Sequence, residues 1–397
     1  MAAAGMFAAW VILGWLLVPP ANLGTNTFRF AIIQPNVPQD NRMDWTVRQR
    51  YRDWLTLRDI TVAAYQDATN PLPLDAIIWP EGFVPGWTLD PIALNTERDA
   101  GIYWNMNLDK PDDAPELNLP LRITATEIVD QLLILQEMID VPMIVGSVAY
   151  DDLRIVDEPG GGIEYKYDAM YNSAFVIENG QVNENWYDKL HLTPFGEVMP
   201  YISTFDWLEQ QLLALGANGM DFVLEPGAEP RNLEVSLRDA GDTARLQVAT
   251  PICFEATISN VCRRLVCRNG KRVAGVMINM TNDGWFGNSI GGRAAHLQIA
   301  RWRAIELATP MIRCANTGIS CVIDHRGQII NKRVKALADD PLEGYLIGQA
   351  QMGAGLTVFS RIGDAFGWLT FLLTMAWGGF AIFRRSKDVQ PMTEVAS

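Results

Sequence analysis

Apolar residues in this chain fall into short runs bounded by Pro, Gly, Asn and Asp, separated by stretches where they recur every three or four positions. The runs predict buried strands: Phe28 to Ile33 (FRFAII), Asp75 to Trp79 (DAIIW), PMIVGSVA from Pro142, SAFVI from Ser173, LQVATPI from Leu246, VAGVMIN from Val273 and GISCVID from Gly318. The intervening periodicity predicts helices over Met43 to Gln66, Thr124 to Ile139 and Arg293 to Ala308. In the last of these Leu297, Ala300, Ala304 and Leu307 share one face, while Arg301, Arg303 and Glu306 point elsewhere. His296 reads as a surface residue of that helix, and His325, beside Arg326 and Gly327, as part of a turn. Thr88 to Pro120 and Asp151 to Lys166 are acidic, carry Pro and Gly, and read as long surface loops. Strand–helix alternation without a repeat of 20–50 residues implies a layered α/β domain.

Two stretches lack charge altogether. Met1 to Phe28 contains no ionisable side chain, and neither does Ala365 to Phe383. About 20 apolar residues cross a hydrocarbon core of ~30 Å. Residues 1–22 are expected to form a retained membrane helix, because no Lys or Arg precedes the run and it ends in Val18-Pro19-Pro20, unlike a cleaved signal. The second run, 365–383, is followed by Arg384, Arg385 and Lys387, which should hold the tail 384–397 in the cytoplasm. Two spans would put residues 29–360 on the extracytoplasmic side. Trp368 and Trp377 suit bilayer interfaces.

The 32 basic and 46 acidic residues give a net charge of −14, against a nucleic-acid-binding role. Apolar residues make up 49 % and charged ones 20 %, which excludes a disordered chain. The five cysteines, Cys253, Cys262, Cys267, Cys314 and Cys321, form no CxxC pair, so neither a zinc site nor another metal or cofactor is called for.

Four stretches concentrate chemistry. IIWPEG sets Glu81 just after a strand, where α/β folds place ligands, although a lone glutamate there equally suits a solvated loop. WYDKLHLTPFGEVMPY holds Lys189, His191 and Glu197. LQVATPICFEAT ends a strand on Cys253, followed by Phe254, Glu255 and a helix through Val261 to Leu265. A thiol at a strand-to-helix turn meets N–H donors that favour its thiolate, whereas a buried cysteine simply packs as a small hydrophobe. That second reading is the one for Cys262, Cys267, Cys314 and Cys321. TNDGWFG, before the last helix, offers Trp285 and Phe286 as an apolar wall.

In this order, Glu after strand-WP, Lys in YDK-x-H-L-x-P-F-G-E and Cys in PICFE resemble the nitrilase superfamily of carbon–nitrogen hydrolases. AIIQPNVPQ with Trp45 after it, HLTPFGE, TNDGWFG and HLQIARWRAIE…RCANTGISCVID narrow the resemblance to the apolipoprotein N-acyltransferases, over roughly Phe28 to Leu346. The resemblance implies a nitrilase-like αββα sandwich, here over residues 28–350, flanked by one N-terminal and one C-terminal transmembrane helix. It implies a Glu81–Lys189–Cys253 catalytic set supported by Glu197, Phe254 and Glu255. It also implies a phospholipid acyl donor, a Cys thioester, and the N-terminal amine of an S-diacylglyceryl-cysteine apolipoprotein as acceptor, at a bacterial inner membrane. Trp45, Trp285 and Phe286 are taken as substrate-binding walls that keep water off the thioester. The family ordinarily has several membrane helices ahead of this domain, and often Tyr where Phe254 stands. The alternative function is a membrane-tethered amidase or nitrilase acting on a small amide.

Overall fold

The computed structural model describes residues 26–37, 45–68, 73–106, 122–157, 162–198, 224–237, 245–353 and 355–388, less a few positions inside these spans, together with a few residues between 5 and 12. The expected N-terminal span, 1–22, lies for the most part outside the described residues.

Two sheets form the centre. Strand β1 (Thr27–Gln34) buries Phe28, Phe30 and Ile32 on one face and Ala31 and Ile33 on the other, all at 0 % exposure. A strand apolar on both faces belongs in the middle of a covered sheet. It runs parallel to β2 (Ala76–Ile78), which runs parallel to β3 (Met143–Asp151). β4 (Ala169–Glu178) lies antiparallel to β3, in register from Met143 opposite Ile177 to Asp151 opposite Ala169. β5 (Gln181–Val182) and β6 (Tyr187–Asp188) both pair with β4. The second sheet follows chain order: β7 (Leu233–Ser236), β8 (Arg245–Ala249), β9 (Val276–Thr281), β10 (Met311–Ala315), β11 (Cys321–Ile323) and β12 (Ile329–Asn331). The chain then returns through β13 (Lys335–Ala336) and β14 (Gly344–Gln351) to the first sheet, where β14 pairs antiparallel with β1.

The sheets meet face to face through Phe28, Phe30, Ile32 and Val176 of the first and Val248, Ile278, Met280 and Ile312 of the second. Helices α1 (Val47–Ala68), α2 (Pro91–Ala100) and α3 (Glu127–Ile139) follow β1, β2 and α2 in the chain. Trp54, Leu57 and Ile60 of α1, with Ile128 and Leu132 of α3, cover the outer face of the first sheet against Ala31, Ile77 and Val145. Helices α4 (Ser259–Val266) and α5 (Ile290–Leu307) cover the second sheet through Val261, Leu265, Leu297, Ala300 and Ala304. The layers are helix, sheet, sheet, helix. Beyond β14, a short α6 (Val358–Ile362) leads into α7 (Ala365–Asp388).

Both stretches expected as loops contain regular structure. Asp90 caps α2 by accepting from the Ile92 and Ala93 N–H groups at 2.9 and 3.3 Å, Pro91 opens the helix, and Gly101 at φ 60° closes it. Hairpins join Tyr103–Asn105 to Arg122–Thr124 and Arg154–Asp157 to Ile163–Lys166. Trp87 ties these parts together, stacked on Tyr165 at 4.8 Å and edge-on to Trp104 at 6.2 Å. Caps and aromatic pairs at long range outweigh the loop-like composition.

Helix α7 contains an apolar window, Ala365–Arg384, long enough to cross a bilayer and with none of it buried in the protein. Trp368, Leu372, Trp377 and Phe380 are 61–73 % exposed.

Candidate active site

Glu81 follows β2 through Trp79 and Pro80. Trp79 is wholly buried, its N–H bonded to the Ile144 carbonyl at 2.9 Å and its indole Nε1 donating to Thr61 Oγ1 at 3.1 Å, so the strand end is fixed on both sides. Gly146 on β3 makes room for the turn. A Cβ there would lie 2.6 Å from the Gly82 nitrogen and 2.7 Å from the Pro80 carbonyl oxygen. The Glu81 carboxylate is thereby turned inward and is 6 % exposed.

Lys189 follows β6, where its N–H donates to the Asn172 carbonyl at 2.8 Å. Its side chain is fully buried, with Nζ 3.3 Å from Glu81 Oε1 and 2.7 Å from Glu197 Oε2. Asn172 on β4 closes the cluster by donating Nδ2 to Glu81 Oε1 and to Glu197 Oε1, each at 2.9 Å. Glu197 Oε2 also accepts from the Thr193 N–H at 2.8 Å. Burial disfavours the Lys189 ammonium, but the charge of Glu81 above all, then those of Cys253 and Glu197, holds its pKa above the ordinary lysine value. Burial likewise opposes the Glu197 carboxylate, and the Lys189 charge with its hydrogen bonds outweighs it, leaving that pKa lowered. Both stay ionised, with the Glu81 side chain completing the cluster. Glu81 Oε2 is buried without a hydrogen-bond partner.

Cys253 opens a 3₁₀ turn, Cys253–Thr257, which Thr250, Pro251 and Ile252 separate from β8, and adopts φ 48°. A non-glycine residue in this left-handed region costs about 1–2 kcal/mol, and surrounding bonds must hold it there. Its carbonyl accepts from Asn279 Nδ2 at 3.2 Å and faces His296 Nε2 at 3.3 Å. Its sulfur accepts from Thr281 Oγ1 at 3.4 Å. Burial foremost, and then the Glu81 charge, push the thiol up to about 12, against the opposing pull of Lys189. The donors at this turn, expected to favour the thiolate, are outweighed by burial. A short 3₁₀ turn does not offset complete desolvation beside a carboxylate.

Glu255, two residues on, is a buried clip. It accepts from the Ile252 N–H at 2.8 Å, the Leu190 N–H at 2.7 Å, the His191 N–H at 3.0 Å and the Tyr187 hydroxyl at 2.8 Å. Burial raises its pKa to about 7, opposed by Lys189 and these donors. It binds the segment before Cys253 to the segment after Lys189. Phe254 stacks on His191 at 6.0 Å. Trp285 and Phe286, 48 % and 38 % exposed, stand after Asn282, whose N–H bonds to the Cys253 thiol. Trp45 donates to Asp53 Oδ2 at 2.7 Å and lies under the Arg50 guanidinium at 4.7 Å, which also lies 5.2 Å from the Trp87 ring.

Beneath the cysteine lies a platform that sequence reading missed. Arg313, fully buried on β10, donates to Asp283 Oδ1 at 2.6 Å and to Asn279 Oδ1 at 2.7 Å, and His296 Nδ1 lies 3.0 Å from Asp283 Oδ1. Burial opposes the Asp283 carboxylate, but His296 and Arg313 hold its pKa low. His296 is 5 % exposed and so is not a surface residue. His325 lies in a turn but is also buried, at 2 %. Among the described residues no three His, Cys, Asp or Glu converge as a metal-binding set.

The carbon-nitrogen hydrolase family profile matches residues 30–353. The chain belongs to that family. This carbon-nitrogen hydrolase is similar to curated apolipoprotein N-acyltransferases. It is 30 % identical over 368 residues to the one from Rhodopseudomonas palustris, covering 91 % of this chain and 55 % of that protein. It is 28 % identical over 349 residues to the one from Geobacter metallireducens, covering 87 % and 52 %. The chain spans about half the length of the curated relatives it matches. Among solved structures, the carbon-nitrogen hydrolase from Helicobacter pylori G27 aligns over 82 % of this chain and 89 % of its own, at 12 % identity and a TM-score of 0.46.

Proposed function

We propose that this carbon-nitrogen hydrolase transfers an acyl chain from a phospholipid, through a thioester on Cys253, to the N-terminal amine of an S-diacylglyceryl-cysteine apolipoprotein. The observation that carries the chemistry is the buried, unpartnered Oε2 of Glu81, beside a fully buried thiol whose ionisation burial opposes. Glu81 takes the Cys253 proton as the sulfur attacks the ester carbonyl. The S–C bond forms, the ester C–O bond breaks, and the lysophospholipid leaves with the proton that Glu81 returns. In the second half, Glu81 takes a proton from the incoming amine, the amide C–N bond forms, and the thiolate leaves and is reprotonated.

The developing oxyanion is met by the Lys189 ammonium and the Phe254 N–H. Loss of one such donor ordinarily costs ~10²–10³ in rate. Glu197 and Asn172 keep Lys189 and Glu81 in place. Trp45, Trp285 and Phe286 supply apolar cover against hydrolysis. Helix α7 anchors the domain in a membrane, and with a second span over 1–22 both ends would be cytoplasmic and 29–360 extracytoplasmic. The similarity to the named acyltransferases and the exposed apolar α7 favour transfer over hydrolysis of a small amide.

The test supplies reconstituted protein with phospholipid and a diacylglyceryl-cysteine peptide. Acylation of the peptide amine, absent in Cys253→Ala and retained in Cys262→Ala, is the expected result. Ammonia release from small amides without peptide acylation would establish the hydrolase instead.

A further inference from the structure

The chain carries a net charge of −14, yet the ten residues RRLVCRNGKR hold Arg263, Arg264, Arg268, Lys271 and Arg272 and no acid. They form the last turn of α4 and a tight hairpin pairing Cys267 with Arg272 and Arg268 with Lys271. Asn269 and Gly270 turn it at φ 51° and 70°, the left-handed pair that a two-residue hairpin requires. Arg264 and Lys271 are exposed.

This segment is fastened to the stem of α7. Arg272 donates Nε to the Gly355 carbonyl at 2.9 Å and NH2 to the Leu307 carbonyl at 2.9 Å. A Cβ on Gly363 would lie 3.1 Å from Arg263 Nε, so the guanidinium rests against the chain just before Ala365. Between these contacts, α6 leaves Val358 and Ile362 56 % and 52 % exposed, with Arg361 exposed beside them. The acids nearby are Glu306, which pairs with Arg303 at 2.8 Å, and Asp364. The rim stays positive.

If α7 enters the bilayer at Ala365, Gly363 and Arg263 stand at headgroup depth. Apolar side chains interleaved with cations are what an interfacial surface needs: the first sink into the acyl boundary and the second meet phosphates. We propose that the α4 hairpin and α6 form a docking rim for anionic phospholipid headgroups, seating the catalytic domain on the leaflet that α7 crosses. This rests on the membrane reading of α7 above. Basic residues within a Debye length of an anionic surface, about 8–10 Å, each contribute roughly a fivefold preference.

The experiment uses the full chain in vesicles of phosphatidylcholine alone or with phosphatidylglycerol, each carrying a quencher lipid. A dye is attached at Asn260→Cys, on the Arg263 and Arg264 face of α4, all five native cysteines being buried. Quenching should rise with phosphatidylglycerol and fall with salt. The pair Arg264→Glu and Lys271→Glu should lower the docked-to-undocked ratio by about 25-fold or more and abolish the lipid dependence. Alkaline carbonate washing reads the anchor separately. Protein that is retained but quenched equally in both compositions, or unaffected by the charge reversal, overturns the rim alone. Protein that washes out overturns the anchor and the rim together.

Discussion

Lys189 has no exposed surface and touches two carboxylates, an arrangement that keeps its charge on while Cys253 stays protonated. The Glu81 charge raises the pKa of both groups, favouring the charged lysine and disfavouring the thiolate. Replacing it with the neutral isostere, Glu81→Gln, should therefore lower the Cys253 pKa from about 12, because burial alone would then raise it, against Lys189 and the Thr281 and Asn282 donors. The pH profile of iodoacetamide alkylation should move to lower pH, while turnover falls by ~10²–10⁴ for loss of the base. An unmoved alkylation profile would mean that Glu81 does not act on the thiol. Glu81, Lys189, Cys253 and Glu197 could be singled out because each stands in a local phrase with a strand before it or a resemblance around it. Asn172, His296 and Arg313 were not. Their roles arise from contacts between β4, α5 and β10, and a polar residue next to or inside an apolar run signals no partner distant in sequence.

Element by element, the apolar runs located most of the central strands, because a strand covered on both faces is written almost wholly in apolar residues. β10 and β14 escaped for a physical reason. MIRCA contains the buried Arg313, and GYLIGQAQ carries Gly and Gln, so neither reads as continuous. α1 and α3 largely coincide with the helical stretches read from periodicity, α1 starting later and running on to Ala68, α3 starting at Glu127 rather than Thr124. The predicted loops hid α2 and two hairpins. Gly146 shows how one strand position governs the site. Gly146→Ala would place a methyl group against the backbone of Pro80 to Gly82, which cannot rotate away as a side chain would. We expect a loss of about 1–3 kcal/mol by denaturant titration and a disproportionate drop in turnover, as the Glu81 turn shifts. Wild-type turnover in Gly146→Ala would show that the turn tolerates displacement.

At the scale of the molecule, the proposed function has a sandwich anchored by α7 bring a thiol, a base and a cation to a membrane face. The fold class was legible from strand–helix alternation, whereas the closing of the first sheet by β14 was not, since that pairing joins residues 27–34 to 344–351. Topology follows from charge: Arg384, Arg385 and Lys387 should hold the tail in the cytoplasm. A reporter active only in the cytoplasm, inserted between Asp157 and Ile163, should stay silent, and a strong signal there would reverse the orientation. The central claim is that Cys253 carries the acyl group between donor and amine. Intact mass spectrometry of the full chain after incubation with phospholipid alone tests it most directly. The account predicts an adduct of one acyl chain, cleaved by hydroxylamine, absent in Cys253→Ala and discharged by a diacylglyceryl-cysteine peptide. Steady release of fatty acid with no adduct, or an adduct that survives Cys253→Ala, would contradict it.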